Sequence, residues 1–147
     1  MKTIFSKDIY EELVHRTEAL NPKSKAVWGK MDVAQMLAHL NNSLDNPLGK
    51  KPFRDESNWI LRNVFKSFVL KDAPIRKNAP TAKSFKVVDP KIFDSERKKL
   101  LENLKDAHDR GLHGTYLPHV SFGVLTPEEW GGLFYRHTNH HLSQFGV

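Results

Sequence analysis

At 147 residues the chain fits one compact domain, 1–147, with a single continuous core, and is short for two. It contains no cysteine, which excludes disulfides, thiolate metal ligands and a cysteine nucleophile from its own residues, and leaves eight histidines as the soft-nitrogen donors. The net charge of +6 is uneven, because residues 50–105 hold 15 Lys and Arg against 7 Asp and Glu. A basic middle of this kind attracts nucleic acid, an anionic membrane surface or an acidic small molecule. No aromatic-interleaved arginine pattern accompanies it, so a solvated lysine-rich surface is the preferred reading and nucleic acid is not the expected partner. The opening MKTIFSKDIYEELVHR is charged from its second residue and has no apolar h-region, and no stretch reaches membrane-spanning length. The expectation by exclusion is a cytoplasmic protein.

Five segments carry a helical period and none offers sustained two-residue alternation, so the expected fold is all-α. The first helix runs from about Ser6, a plausible N-cap residue, to Leu20, burying Ile9, Leu13 and Leu20, and stops at Asn21-Pro22. The second starts near Asp32, whose carboxylate can accept from free backbone N–H groups, and reaches about Leu44 before Asn46-Pro47. The third spans roughly 54–70, where Trp59, Ile60, Val64, Phe65 and Phe68 form a broad apolar arc that should be well buried. Residues 71–90, with Pro74, Pro80 and Pro90, read as a long surface connection with one extended segment at 84–88. The fourth helix begins near Asp94, carries Leu100, Leu101 and Leu104, and ends at Gly111, the expected left-handed position. HGTYLPHVSFGVL then reads as an extended loop pressed onto the core. In the last helix Thr126 as N-cap, Pro127 at the first position and Glu129 three residues after the cap compose a capping box.

That helix ends in RHTNHHLSQFGV. At about 100° per residue, Trp130, Leu133, His137, His141 and Gln144 share one stripe, so a core face turns into histidine toward its end. His137 and His141, at i and i+4, stand one above the other and can converge on one cation, although the spacing alone is a weak signal. Thr138 follows His137 where a zinc protease carries glutamate, which argues against protease chemistry. A third ligand must come from another helix. His39, at the edge of the apolar face of the second helix, is the best candidate, and an ordinary boundary histidine is its competing reading. His140 is first ranked as a hydrogen-bonding neighbour of the ligands, ahead of a fourth ligand or an exposed residue. Gln35 and Gln144, one turn from ligand candidates, either orient imidazoles or sit on the surface. His119 is a loop histidine or a neighbour of the site, and His15, His108 and His113 are expected in solvent.

Two stretches, WGKMDVAQMLAHL at 28–40 and FGVLTPEEWGGLFYRHTNHHLSQFG at 122–146, together resemble an uncharacterised branch of the DinB-like (YfiT-like) superfamily. The resemblance implies a four-helix bundle with an additional helix or long loop. It also implies one divalent metal held by a histidine of the second helix and two of an H-x-x-x-H-x-x-Q pattern in the last. The matching positions are His39, His137, His141 and Gln144; the extra imidazole of His140 departs from the pattern. Characterised members include thiol-dependent transferases and an isomerase, and others are described as metal-dependent hydrolases. The implied function is therefore a thiol transferase-like or hydrolase-like enzyme using zinc or nickel first, iron or manganese next. Its substrate would be a small molecule, with a low-molecular-weight thiol as cosubstrate, and no catalytic side chain of its own is named. A homodimer through a helix face is compatible with it. The alternatives are a non-catalytic basic bundle that binds nucleic acid or protein, and a metal-stabilised structural protein.

Overall fold

The structure is a computed structural model that describes residues 2–71, 74–79 and 81–147, with the side chains of Phe65, Phe68 and Val69 outside that description. Its regular elements are α1 (Lys7–Ala19), α2 (Val33–Asp45), a π turn (Leu61–Phe65) running into the short α3 (Lys66–Val69), α4 (Phe93–Arg110) and α5 (Pro127–Gln144). No strand occurs among the described residues, and the fold is all-α as its periodicity predicts. No helix among them is long and apolar enough to cross a membrane.

The four long helices close a ring in which α1 packs on α4 and α5, and α2 packs on the same two. Each contributes one apolar stripe to a common core. Leu13 comes from α1, Met36, Leu37, Leu40 and Leu44 from α2, Leu100 and Leu104 from α4, and Trp130, Leu133, Phe134 and Leu142 from α5. Burying a leucine-sized side chain contributes about 1.5–3 kcal/mol, so this shared core is what holds α2 against α5.

Local chemistry sets the helix boundaries that matter for the site. Asp32 accepts from the Gln35 backbone N–H at 2.8 Å while the Gln35 side chain accepts from Asp32 N at 3.1 Å, a reciprocal cap that fixes the start of α2. Thr126 and Glu129 form the expected box at α5, behind Pro127. Ser6 occupies the N-cap of α1, but its hydroxyl makes no capping bond. Gly111 ends α4 at φ +56, ψ −150, so its φ is positive as expected while its ψ lies outside the left-handed helical region. HGTYLPHVSFGVL presses onto the core through Val120 and Leu125, with His119 and Gly123 pairing across a tight turn.

The third segment departs from expectation. Residues 52–58 are not helical, and Trp59, Ile60 and Val64 are 72%, 53% and 53% exposed rather than buried. Phe65 and Phe68 of the predicted arc lie outside the described side chains. The π winding at Leu61–Phe65 replaces the 100° step on which the arc was drawn. Leu70 still packs against the core, and polar contacts add to the hold on the segment, with Lys66 donating to the Val124 carbonyl at 2.7 Å and Arg62 paired to Asp55 at 2.6 Å. The segment expected to be extended at 84–88 opens with a 3₁₀ turn at Lys83–Phe85, and Pro80 lies outside the described residues.

Candidate metal centre

His39 lies on α2, and His137 and His141 lie one turn apart near the end of α5. The ring of helices brings ring nitrogens of all three within 4.8 Å of one another. Their ring centroids are 4.7–5.0 Å apart, with His39 and His141 buried and His137 partly exposed.

The hydrogen bonds around the cluster decide where each imidazole keeps its proton. His39 Nδ1 stands 2.9 Å from the carbonyl of Phe85, which can only accept, so the proton is on Nδ1. His137 Nδ1 is 3.2 Å from Ser43 Oγ; that hydroxyl already donates to the Leu40 carbonyl at 2.8 Å, so it accepts here. His141 Nδ1 donates to Gln144 Oε1 at 2.8 Å, and the amide is oriented by Gln144 Nε2, which donates to the Trp28 carbonyl at 2.7 Å. All three residues are thus neutral Nδ1–H tautomers whose Nε2 atoms carry lone pairs. Two of these atoms, on His39 and His137, face each other at 3.0 Å. Lone pairs at that separation repel unless a proton or a cation lies between them.

A proton is the poorer answer. Burial holds the pKa of His39 below the ordinary value of 6.5. Burial and the neighbouring His141 and His39 hold His137 well below it, and burial with His39 brings His141 to about 3. A divalent cation satisfies three lone pairs at once. Bonds of about 2.0–2.1 Å to a tetrahedral zinc would place two nitrogens roughly 3.3 Å apart, which the 3.0 Å His39–His137 pair nearly matches, and all three nitrogens lie within 4.8 Å of one another. The residues present therefore fit a cation, and each ring is already steadied through its other nitrogen.

Gln144 has the orienting role expected of it. Gln35 does not: its carboxamide caps α2 and donates to the Val88 carbonyl at 3.1 Å, so the helix start and the following loop engage both ends. Nor is His140 a hydrogen-bonding partner of a candidate ligand; its half-buried ring lies 5.0 Å from that of His141 and 5.8 Å from that of Trp28. His119 lies beside the centre, close enough for its charge to act on His137. Its Nδ1 accepts from the backbone N–H groups of Ser121 and Phe122, so its single proton sits on Nε2. The ring stacks on Phe122 at 4.5 Å, and burial lowers its pKa to about 4. His15 and His113 are exposed as expected, whereas His108 is not free in solvent, since it bonds the Ile4 carbonyl at 2.9 Å and stacks on Tyr10 at 4.4 Å.

Three partners of the cluster were not assigned from the sequence. Ser43 had a usable signal, since it stands four residues after His39 on the same face of α2. Gly29 had one too. With φ +86, a Cβ there would lie 2.4 Å from Gln144 Nε2, so the glycine of WGKM is what lets Gln144 reach the Trp28 carbonyl. The Phe85 carbonyl had none, because an irregular segment does not announce which residue its backbone will meet.

Part of the basic middle segment is neutralised: Lys50, Lys51, Arg62, Lys66, Arg97, Lys99 and Lys105 pair with carboxylates, Lys51 and Lys99 sharing Asp45. What fold and site define together is an all-α bundle with a histidine-only centre suited to one cation. The chain belongs to the family described as Protein of unknown function (DUF1569), which it matches over residues 7–146, a span that includes all three histidines and the WGKM stretch. No curated protein and no solved structure matches it.

Proposed function

We propose that this protein is a metal-dependent enzyme of the DinB-like (YfiT-like) kind, holding one divalent ion on His39, His137 and His141 and acting on a small molecule as a thiol transferase or hydrolase. One observation carries the reading: each of the three imidazoles gives its Nδ1 proton to a fixed acceptor, and their ring nitrogens gather within 4.8 Å. The ring of four long helices and the pairing of WGKM with the H-x-x-x-H-x-x-Q pattern support the DinB-like assignment.

A divalent ion held by His39, His137 and His141 would keep its full charge, since neutral imidazoles add none, and would supply Lewis-acid chemistry able to bring the pKa of a water to about 7 or to deprotonate a thiol. The chain's own part is to hold and enclose. Phe85 O, Ser43 Oγ and Gln144 Oε1 fix the three rings. Phe85 and His119 meet edge to face at 6.1 Å and Trp130 lies 5.6 Å from His119, a largely apolar wall beside the centre. His119 contributes an N–H donor there for a substrate bearing negative charge. Without cysteine, any thiol comes from a cosubstrate. Zinc or nickel suits the nitrogen donors best, with iron and manganese behind them.

Metal analysis of the purified protein is expected to find about one equivalent of a divalent metal, lost in His39→Ala and His137→Ala; turnover is then sought on thiol and ester panels. A preparation that carries no metal and gains no thermal stability from added zinc or nickel overturns the reading. Stoichiometric metal with no turnover on either panel would leave the ion a structural role.

A further inference from the structure

A cavity of about 230 Å³ lies along α2 beyond His39 and shares two supports with the metal centre. Its wall residue Phe85 gives its carbonyl to His39, and Ser43, which holds His137, stands in the chain between two of its lining residues, Asn42 and Asn46. Drug-sized ligands occupy roughly 300–1,000 Å³ and one water only about 30 Å³, so the space suits a molecule of a few heavy atoms. Asn42 and Asn46 are one turn apart, and helical torsions continue through Asn46 (φ −65, ψ −61), so both carboxamides stand on one face of α2. Asn46 is 5% exposed, and its Oδ1 has no hydrogen-bond partner among the described residues. Buried polar atoms are nearly always paired, so an unmet acceptor at a cavity calls for a donor from outside the chain. Asn42 offers the complement. Lys51 Nζ can only donate, so it takes Asn42 Oδ1 and leaves Asn42 Nδ2 a donor without an acceptor among the described residues. Buried Phe85 and Val120 supply apolar walls.

We infer that this cavity binds a small neutral amide, such as a lactam, urea or primary carboxamide, whose N–H donates to Asn46 Oδ1 and whose carbonyl accepts from Asn42 Nδ2. An amide carries donor and acceptor on separate atoms of one plane, matching two carboxamides a turn apart, and its flat faces suit apolar walls. A ketone lacks the donor, and a hydroxyl puts both roles on one atom. Charge is disfavoured in either sign. A cation would meet Lys51 and Arg54, which line the cavity, and an anion would have to compete with buried Asp45 for Lys51. This site goes beyond the proposed enzyme and requires no ion on His39, His137 and His141.

The test uses the full chain, stripped of metal so that its outcome stands apart from the metal analysis. Three probes of similar size are titrated: 2-pyrrolidinone, N-methyl-2-pyrrolidinone, which lacks the N–H, and cyclopentanecarboxylate, which is charged. Binding is read from backbone and side-chain amide signals by NMR. 2-Pyrrolidinone should bind tightest and saturably, shifting the side-chain amides of Asn42 and Asn46 and the backbone of Phe85 and Val120. N-methylation of the probe, Asn46→Leu and Asn42→Ala should each weaken binding about tenfold. Asn46→Leu keeps the side chain's size and removes an unpartnered acceptor, so the fold should hold; if it does not, Asn42→Ala, at a half-buried position, carries the test. Equal affinity for the N-methyl lactam, tighter binding of the carboxylate, shifts centred on the exposed Trp59, Ile60 and Val64, or indifference to the substitutions overturns the inference. So does a crystal soaked in concentrated 2-pyrrolidinone whose cavity holds ordered water alone.

Discussion

Gln144 joins the two motifs: its carboxamide oxygen holds His141, and its nitrogen reaches back to the Trp28 carbonyl. Removing it in Gln144→Ala leaves His141 free to rotate, which should weaken zinc or nickel binding by about 10–100-fold in a competition titration while the helical circular dichroism is kept. Gly29→Ala acts on the same contact from the other side, forcing a side chain into a positive-φ position against Gln144, and should cost about 1–3 kcal/mol in chemical denaturation. Titration offers a separate test at this scale. In metal-stripped protein His119 and His141 have folded pKa values of about 4 and about 3, against about 6.5 when unfolded. Their folded pKa values are depressed, so the unfolded chain takes up more protons below about pH 6.5; stability is complete above that pH and falls as acid approaches the folded values. Melting scans from about pH 7 to about pH 4.5 should record that decline, and His119→Asn, which retains an acceptor for Ser121 and Phe122 but does not titrate, should flatten it. The pair His137 and His141 was legible in the sequence because i, i+4 spacing is a property of one helix, whereas His39 stood out only by its place at the edge of the apolar face of α2 and by the family resemblance. Their orienting acceptors were less so, because a carbonyl such as that of Phe85 becomes a partner only when the chain folds.

Among the elements, α5 was the most readable, with both its cap and its change from core to histidine written locally, and the segment at 59–69 was the least. An apolar arc drawn at 100° per residue presumes unbroken α geometry; the π turn at Leu61–Phe65 interrupts it after Ile60, and Trp59, Ile60 and Val64 stand exposed. What periodicity also leaves unstated is how the end of α5 is secured. Arg16 of α1 does this, donating to Asn139 Oδ1 at 2.7 Å, Ser143 Oγ at 3.0 Å and the Val147 carbonyl at 2.9 Å, with Glu12 behind it at 2.9 Å. These contacts bracket His141 in the chain. Arg16→Ala should therefore destabilise the protein by about 1–3 kcal/mol, and it should speed amide exchange over residues 139–147 more than in α2 or α4. Equal acceleration in all helices would mean that Arg16 supports the bundle in general and not this terminus.

For the molecule as a whole, the position of the centre between α2 and α5 makes metal binding a statement about folding. The helices meet through core leucines, and His39 faces His137 across their junction with two lone pairs at 3.0 Å. In the metal-free state that repulsion opposes the docking which the core favours. A bound ion reverses its sign and adds links between two elements far apart in the chain, and because the unfolded chain offers no preformed site, the binding energy appears as stability. At free metal a hundredfold above Kd, the gain is about 2.7 kcal/mol, which for a domain of this size raises Tm by roughly 5–10 °C. His137→Ala should abolish the rise, yet it also removes one of the opposed lone pairs, so metal-free His137→Ala should melt no lower than metal-free wild type apart from the lost packing of one partly exposed ring. Calorimetry of both proteins with and without zinc, at matched pH and ionic strength, separates the two effects. A wild-type Tm indifferent to zinc at saturating concentration would mean that the rings do not close on the ion, and the linkage between metal and bundle would fail with it.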